Sequence, residues 1–186
     1  MVEHDIRIVI DATGSFAMLG KRNLPLYALH AAMSLRQMQF LQQAAVSAYV
    51  WQGDEIISAD EEGEERLAHP EGAGAVGVLA DFLSDASEDG VACLLLTDAC
   101  FAQDDWQYLR DLPETVRGRT IAVLLGADAD AMQAQQCFAQ VYALADLPGA
   151  LQAAKGRTSD GTALQLLGAG QLSRGQSGCK PALAAE

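Results

Sequence analysis

Ile6-Arg7-Ile8-Val9-Ile10 is an almost unbroken β-branched run that stops at Asp11, with hydroxyls two and four residues further on at Thr13 and Ser15. A run of this kind is what a strand buried on both faces of a parallel sheet requires. A second one, Val91 to Leu96, closes in Thr97-Asp98. If the two strands are parallel neighbours, Asp11 and Asp98 reach the same carboxyl edge of the sheet, where open α/β folds place their ligands. Two uncompensated carboxylates there repel each other, and a cation offsets that cost. Asp11, Thr13 and Ser15 offer oxygen only, which suits a hard ion such as Mg²⁺ or Mn²⁺. An Asx or Ser/Thr turn closing the strand, with Gly14 at the bend, accounts for the same letters without any ligand.

The remaining segments alternate between strand and helix. Asn23-Leu24-Pro25 reads as an N-cap with Pro in the first turn of a helix to about Gln43, with Leu26, Leu29, Met33, Phe40 and Leu41 on its buried face. Val46 to Trp51 reads as a strand, Gln52 to Glu55 as a turn, and Ile56 to Ser58 as a short antiparallel edge. Asp60 to Glu65 is a like-charge run, expected as a solvated loop or as an acidic patch facing a basic partner. Asp104 and Asp105 begin a helix that places Trp106, Leu109 and Leu112 on one side and ends before Pro113. Thr120 to Leu125 is a third buried strand, followed by a helix through about Ala139 and a short strand from Val141 to Ala145. Asp146 to Pro148 then caps a last helix to about Ala154. The expectation is one doubly wound α/β domain over residues 1–155, with a mostly parallel sheet, one antiparallel edge strand and helices on both faces. Residues 156–186 are Gly/Ser-rich and read as a tail or linker.

Other chemistry fits less well. Gly72 to Gly77 matches G-x-G-x-x-G, but a dinucleotide turn needs a buried strand immediately before it. The preceding Glu64 to Glu71 is polar and contains His69-Pro70, so a Gly-rich loop feeding a helix from Ala75 to Leu83 is the simpler expectation. Gly14 to Gly20-Lys21-Arg22 has the wrong spacing for a phosphate loop, and no Ser or Thr follows the Lys. Haloacid-dehalogenase-type phosphatases need a second Asp where Thr13 stands. No G-x-S-x-G elbow occurs, and His4, His30 and His69 have no partner at an interpretable distance. Cys93, Cys100, Cys137 and Cys179 lack paired metal spacing and read as reduced, mostly buried thiols. The pattern points away from an enzyme.

Charge narrows the partners. The chain has 25 acidic and 12 basic residues among 186, a net charge of −13 that disfavours nucleic acid and anionic membrane. The start of the chain lacks the basic-then-apolar pattern of a signal peptide, and no apolar run approaches the roughly 18 residues of a membrane span. A soluble, cytoplasmic protein is expected.

Asp11-Ala-Thr-Gly-Ser-Phe16 resembles the Asp-x-Ser-Gly-Ser-Met signature that opens von Willebrand factor A (vWA) domains. Val91 to Ala99 is similar to that family's apolar strand closing in Thr-Asp-Gly, with Ala99 at the Gly. The order strand, long helix, hairpin and the Asp-bearing turn before the final helix extend the resemblance over residues 4–155. It implies a metal-ion-dependent adhesion site (MIDAS) held by Asp11, Thr13, Ser15 and Asp98, with no catalytic residues. The family's second metal-site segment, usually Gly-Gly-Thr, has no match, since no Thr stands between Thr13 and Thr97. Mg²⁺ or Mn²⁺ is therefore expected to be weakly bound. The function implied is docking, in which an acidic residue of a partner protein completes the cation's open position. Bacterial intracellular members work with a chaperone-like ATPase or another multi-component assembly. Two alternatives stand beside this: the same fold as a metal-free scaffold, and a nucleotide-binding or metal-dependent enzyme using Asp11 and Asp98.

Overall fold

The computed structural model describes residues 4–18, 20–37 and 44–157. Strands β1 (His4–Asp11), β2 (Ala44–Gln52), β3 (Glu55–Ser58), β4 (Ala92–Thr97), β5 (Thr120–Leu124) and β6 (Gln140–Ala143) form one sheet in the order β3-β2-β1-β4-β5-β6. Every neighbouring pair is parallel except the β2–β3 hairpin. The chain builds outward from β1 to β2 and β3, then returns to lay β4 against the other side of β1, with Ile10 opposite Leu96. The strand order therefore reverses between β1 and β4. A reversal of this kind opens a crevice at the carboxyl ends of the two strands, and both aspartates are there.

Helices α1 (Leu24–Leu35), α2 (Glu61–Ala68), α3 (Val76–Glu88), α4 (Gln103–Arg110), α5 (Glu114–Arg119), α6 (Ala131–Cys137) and α7 (Leu147–Lys155) cover the two faces. Side chains alternate along a strand, so the β1 run divides its apolar residues between two cores. Ile6, Ile8 and Ile10 join Leu94, Leu96 and Val123 under α1 and α7, which contribute Leu29 and Leu151. Val9 and Leu95 join Leu79, Leu83, Trp106 and Leu109 on the opposite face, under α3 and α4. Each wholly buried Ile or Leu removes enough apolar surface from water to contribute about 2 kcal/mol. The β1–β4 pair, buried on both sides, is thereby a rigid base for whatever its ends carry.

The three apolar runs are adjacent buried parallel strands, as their composition requires, and the Ile56–Ser58 segment is the antiparallel edge. Elsewhere the structure departs from expectation. The acidic run is a helix and not a loop: the Asp60 side chain accepts from the Glu62 and Gly63 amides, and Glu61, Glu62 and Glu64 lie in the first turn of α2. The positive end of the helix dipole favours carboxylates there, and Leu67 anchors the other face in the core. Helix α1 ends at Leu35, and Phe40 and Leu41 lie outside the described residues. Asn23 and Asp146 precede their helices without a side-chain cap. Pro113 ends one helix and opens another, α5, because its missing N–H is no loss at a helix start. Helix α6 stops at Cys137, and the last strand gives way after Ala143 to a 3₁₀ turn over Leu144–Asp146. Among the described residues no helix is long and apolar enough to cross a membrane. The Gly/Ser-rich segment lies outside them from residue 158 onward.

Candidate functional site at the strand ends

Asp11 ends β1 with 1% of its surface exposed. One carboxylate oxygen, Oδ1, accepts from the Thr13 amide at 2.9 Å, and Oδ2 accepts from the Thr97 hydroxyl at 2.7 Å. The Thr97 oxygen in turn accepts from the Ala99 amide at 3.0 Å, and the Thr13 and Ser15 hydroxyls lie 3.2 Å apart. No cation touches Asp11 among the described residues. Burial pushes its carboxyl up to about 6, against the pull of the Thr97 and Thr13 hydrogen bonds, and the charge of Asp98 adds to the rise.

The glycine stretch after α2 is laced onto this opening loop. Gly14 donates its amide to the Gly72 carbonyl at 2.7 Å, and Glu71 donates to the Ala12 carbonyl at 3.1 Å. A side chain at Gly74 would overlap the Trp51 ring and come within 2.8 Å of the Thr13 methyl. The glycines are there so that two loops can touch. A helix, α2, and a loop precede them instead of a strand, so the pyrophosphate turn is not formed.

Asp98 is equally buried, at 1% exposed, but its surroundings differ. Its Oδ1 accepts from the Cys100 amide at 3.1 Å. Its Oδ2 accepts from the Lys21 ammonium at 2.8 Å, and the same ammonium donates to Asp128 Oδ2 at 2.8 Å. Lys21 is only 8% exposed, and its ammonium lies 5.8 Å from the centre of the buried Phe16 ring. Burial works against the Lys21 charge, but the hydrogen bonds to Asp128 and Asp98 outweigh it and hold the ammonium above the usual lysine range. The Lys21 hydrogen bond likewise lowers Asp128. Gly126 sits between the partners in the left-handed region at φ 98°, where a Cβ would meet Asp128 Oδ1 at 3.0 Å and Lys21 Cδ at 3.3 Å.

Sequence reasoning missed Lys21 and Asp128. A signal for the first was present: two carboxylates at one edge call for a cation, and Lys21 is the first basic residue after the opening loop. Asp128 carried no signal beyond following the third strand. Ala99, which stands at the family's Gly, adopts φ 56°, the conformation that Gly takes without strain.

The structure gathers Asp11, Thr13, Ser15 and Asp98 at one end of the sheet, but the set does not fit a resident divalent ion in this arrangement. An ammonium holds Asp98 Oδ2, and each oxygen of Asp11 already gives one of its two lone pairs to a hydrogen bond. The 71–74 loop supplies no hydroxyl. Among the described residues, no three His, Cys, Asp or Glu side chains gather where they could share a metal ion. Nor do the thiols suit nucleophilic work. Burial pushes Cys93 up to about 12 and Cys137 up to about 11, and partial desolvation with the charge of Asp98 beside it raises Cys100 to about 11, far above a reactive thiolate. Cys93 and Cys137 are buried as expected and Cys100 is exposed, while Cys179 lies outside the described residues. His30 is exposed near Glu64 at 3.6 Å, and the exposed His69 ring contacts Arg22 at 3.0 Å.

No family model matches the chain, and no curated protein matches it in sequence. Solved structures do share its fold. Manganese-loaded TRAP protein from Plasmodium vivax superposes over 80% of this chain and 72% of its own, with a TM-score of 0.55 and 9% identity. Proximal thread matrix protein 1 from the mussel byssus, in a form with a zinc-occupied MIDAS motif, covers 83% of this chain with a TM-score of 0.52 and 13% identity. The present chain spans 48% of that protein's length. The conserved hypothetical protein BatB from Bacteroides thetaiotaomicron covers 82% of this chain and 98% of its own, with a TM-score of 0.50 and 12% identity. Identities this low speak to the fold alone. The six-stranded sheet, with one antiparallel edge, helices on both faces and its aspartates at the switch between β1 and β4, is a vWA-like fold.

Proposed function

We propose that the chain is a protein-interaction module that docks its partner at the strand-end surface around Asp11, Ser15 and Asp98. One observation carries this reading: the polar groups that converge at the switch between β1 and β4 are locked to one another and to backbone amides. Themselves buried or half-buried, they hold the loops above them in one arrangement on a rigid sheet, and among the described residues of the site there is no histidine and no activated thiol to move protons or electrons. A fixed surface of this kind suits recognition. Cytoplasmic residence and a partner drawn from a chaperone-like ATPase or multi-component assembly belong to the same proposal. The Mg²⁺ or Mn²⁺ implied by the resemblance is the competing source of positive charge at the site, and dependence of docking on metal would favour it.

A photo-crosslinking side chain introduced at position 15 tests the surface. It should trap a specific partner encoded beside this gene, whereas the same group at position 64 on α2 should not. Capture from position 64 alone would move the interface to the exposed acids of α2, Glu61, Glu62, Glu64 and Glu65. Repeating the capture with Mg²⁺ and with chelator separates a metal-dependent module from a metal-free scaffold.

A further inference from the structure

We propose that Lys21 is the resident cation of the strand-end site: its ammonium, bridging Asp98 and Asp128, takes the Asp98 oxygen that a divalent ion would need and keeps metal out. This deepens the docking reading, since it concerns the same strand ends. It is tested by metal binding and not by partner capture, so that either can fail alone.

The ammonium's position is built from several sides. Two charge-assisted hydrogen bonds of 2.8 Å hold it, one to a wholly buried carboxylate. The Phe16 ring lies 5.8 Å away, and the absence of a side chain at Gly126 leaves room for the lysine stem. The backbone of the same loop is pinned as well, with the Lys21 amide donating to Met18 O at 3.1 Å and its carbonyl accepting from Leu24 at 2.8 Å. A charge tethered in this way is at high effective concentration and need not be recruited from solution. To take Asp98 Oδ2, a divalent ion would have to break the hydrogen bond that Lys21 donates there. It would also sit beside an ammonium of the same sign of charge, still held by Asp128. The ion would gain few ligands in exchange, because the 71–74 loop supplies no hydroxyl.

The arrangement alters how recognition can work. An ammonium presents no open coordination position, so a partner carboxylate has nothing to complete. Two carboxylates, Asp98 and Asp128, share one lysine, and the surface is not turned positive as a bound divalent ion would turn it. Docking here depends on shape and hydrogen bonding and is insensitive to chelator.

Mn²⁺ binding, read by the loss of free-ion signal in electron paramagnetic resonance, tests the proposal directly, with thermal melting in Mg²⁺ and in chelator beside it. The wild-type chain should bind Mn²⁺ barely at all and melt at the same temperature in both buffers. Lys21→Met and Lys21→Gln should bind Mn²⁺ at least roughly tenfold more tightly and melt higher with metal than with chelator, since an ion that binds only the folded state stabilises it. A second substitution, Asp98→Ala, should abolish that gain. If the Lys21 variants do not fold in chelator, recovery of the fold on adding Mn²⁺ supports the proposal. Three results overturn it: wild type binding Mn²⁺ as tightly as the variants, folded variants indifferent to metal, or unfolded variants that metal does not recover.

Discussion

Asp11 and Asp98 end neighbouring strands, are equally buried, and yet are compensated in opposite ways. Asp11 is held by a hydroxyl and an amide, neutral donors that satisfy its lone pairs without balancing its charge. Asp98 has an amide on one oxygen and an ammonium on the other. The difference shows in the first carboxyl, which burial raises to about 6. Hydrogen bonds alone do not offset the desolvation of a buried carboxylate, and the protein has placed its one nearby lysine on the other aspartate. Asp11 is therefore the strained partner of the pair, and Asp98 the anchored one.

The largest way to disturb this contrast is to remove the ammonium. Lys21→Met leaves Asp98 buried and unpaired and should cost about 3 kcal/mol, measured by denaturant unfolding at neutral pH. Asp128→Asn, at the half-exposed partner of the same lysine, should cost far less; equal losses would place the balancing role on Asp128. The second test removes the uncompensated charge. A folded pKa above the unfolded one means that Asp11 contributes stability when protonated, and that this is lost as pH rises from about 4 through about 6. Asp11→Asn should therefore gain on the order of 2 kcal/mol over wild type at pH 8, and the gain should vanish near pH 3.5. A variant less stable than wild type at pH 8 would show that the carboxylate is balanced after all. Carbon NMR of the Asp11 carboxyl, with its midpoint near 6, checks the same assignment in the unaltered chain.

Smaller effects sharpen the geometry around the anchored side. Gly126→Ala forces an alanine into a left-handed backbone and crowds Lys21 and Asp128, and should cost about 1–2 kcal/mol in equilibrium unfolding. Ala99→Gly, one residue beyond Asp98, relieves the strain at φ 56° but removes a buried methyl. The two terms are each about 1 kcal/mol and opposed, so the measured change should stay within roughly 0.5 kcal/mol. A large loss there would mean that the methyl is packed more tightly than the strain it causes.

The strands were legible because burial on both faces leaves a one-dimensional mark. Ile6 to Ile10, Val91 to Leu96 and Ile121 to Leu125 need no partner to be recognised as central, and an Asp at the end of two of them already marks the edge that matters. The like-charge run at Asp60 misled because a helix dipole and the single anchor Leu67 outweigh the repulsion that the letters suggest. Lys21 was hidden for another reason. Its role is set by two carboxylates 77 and 107 residues away in the chain, and spacing within a motif carries nothing about such pairs.

The sequence by itself determined the class of sheet, its three central strands and the arrival of Asp11 and Asp98 at the same end of it, because these follow from apolar periodicity and from parallel register. Only the tertiary structure decided which cation balances the site. That choice depends on distances among Lys21, Asp98, Asp128 and the bare backbone of Gly126, three separate segments that meet only when β4 and β5 stack beside β1. Electrostatic compensation acts through space over a few ångströms, and the order of residues along a chain does not record it.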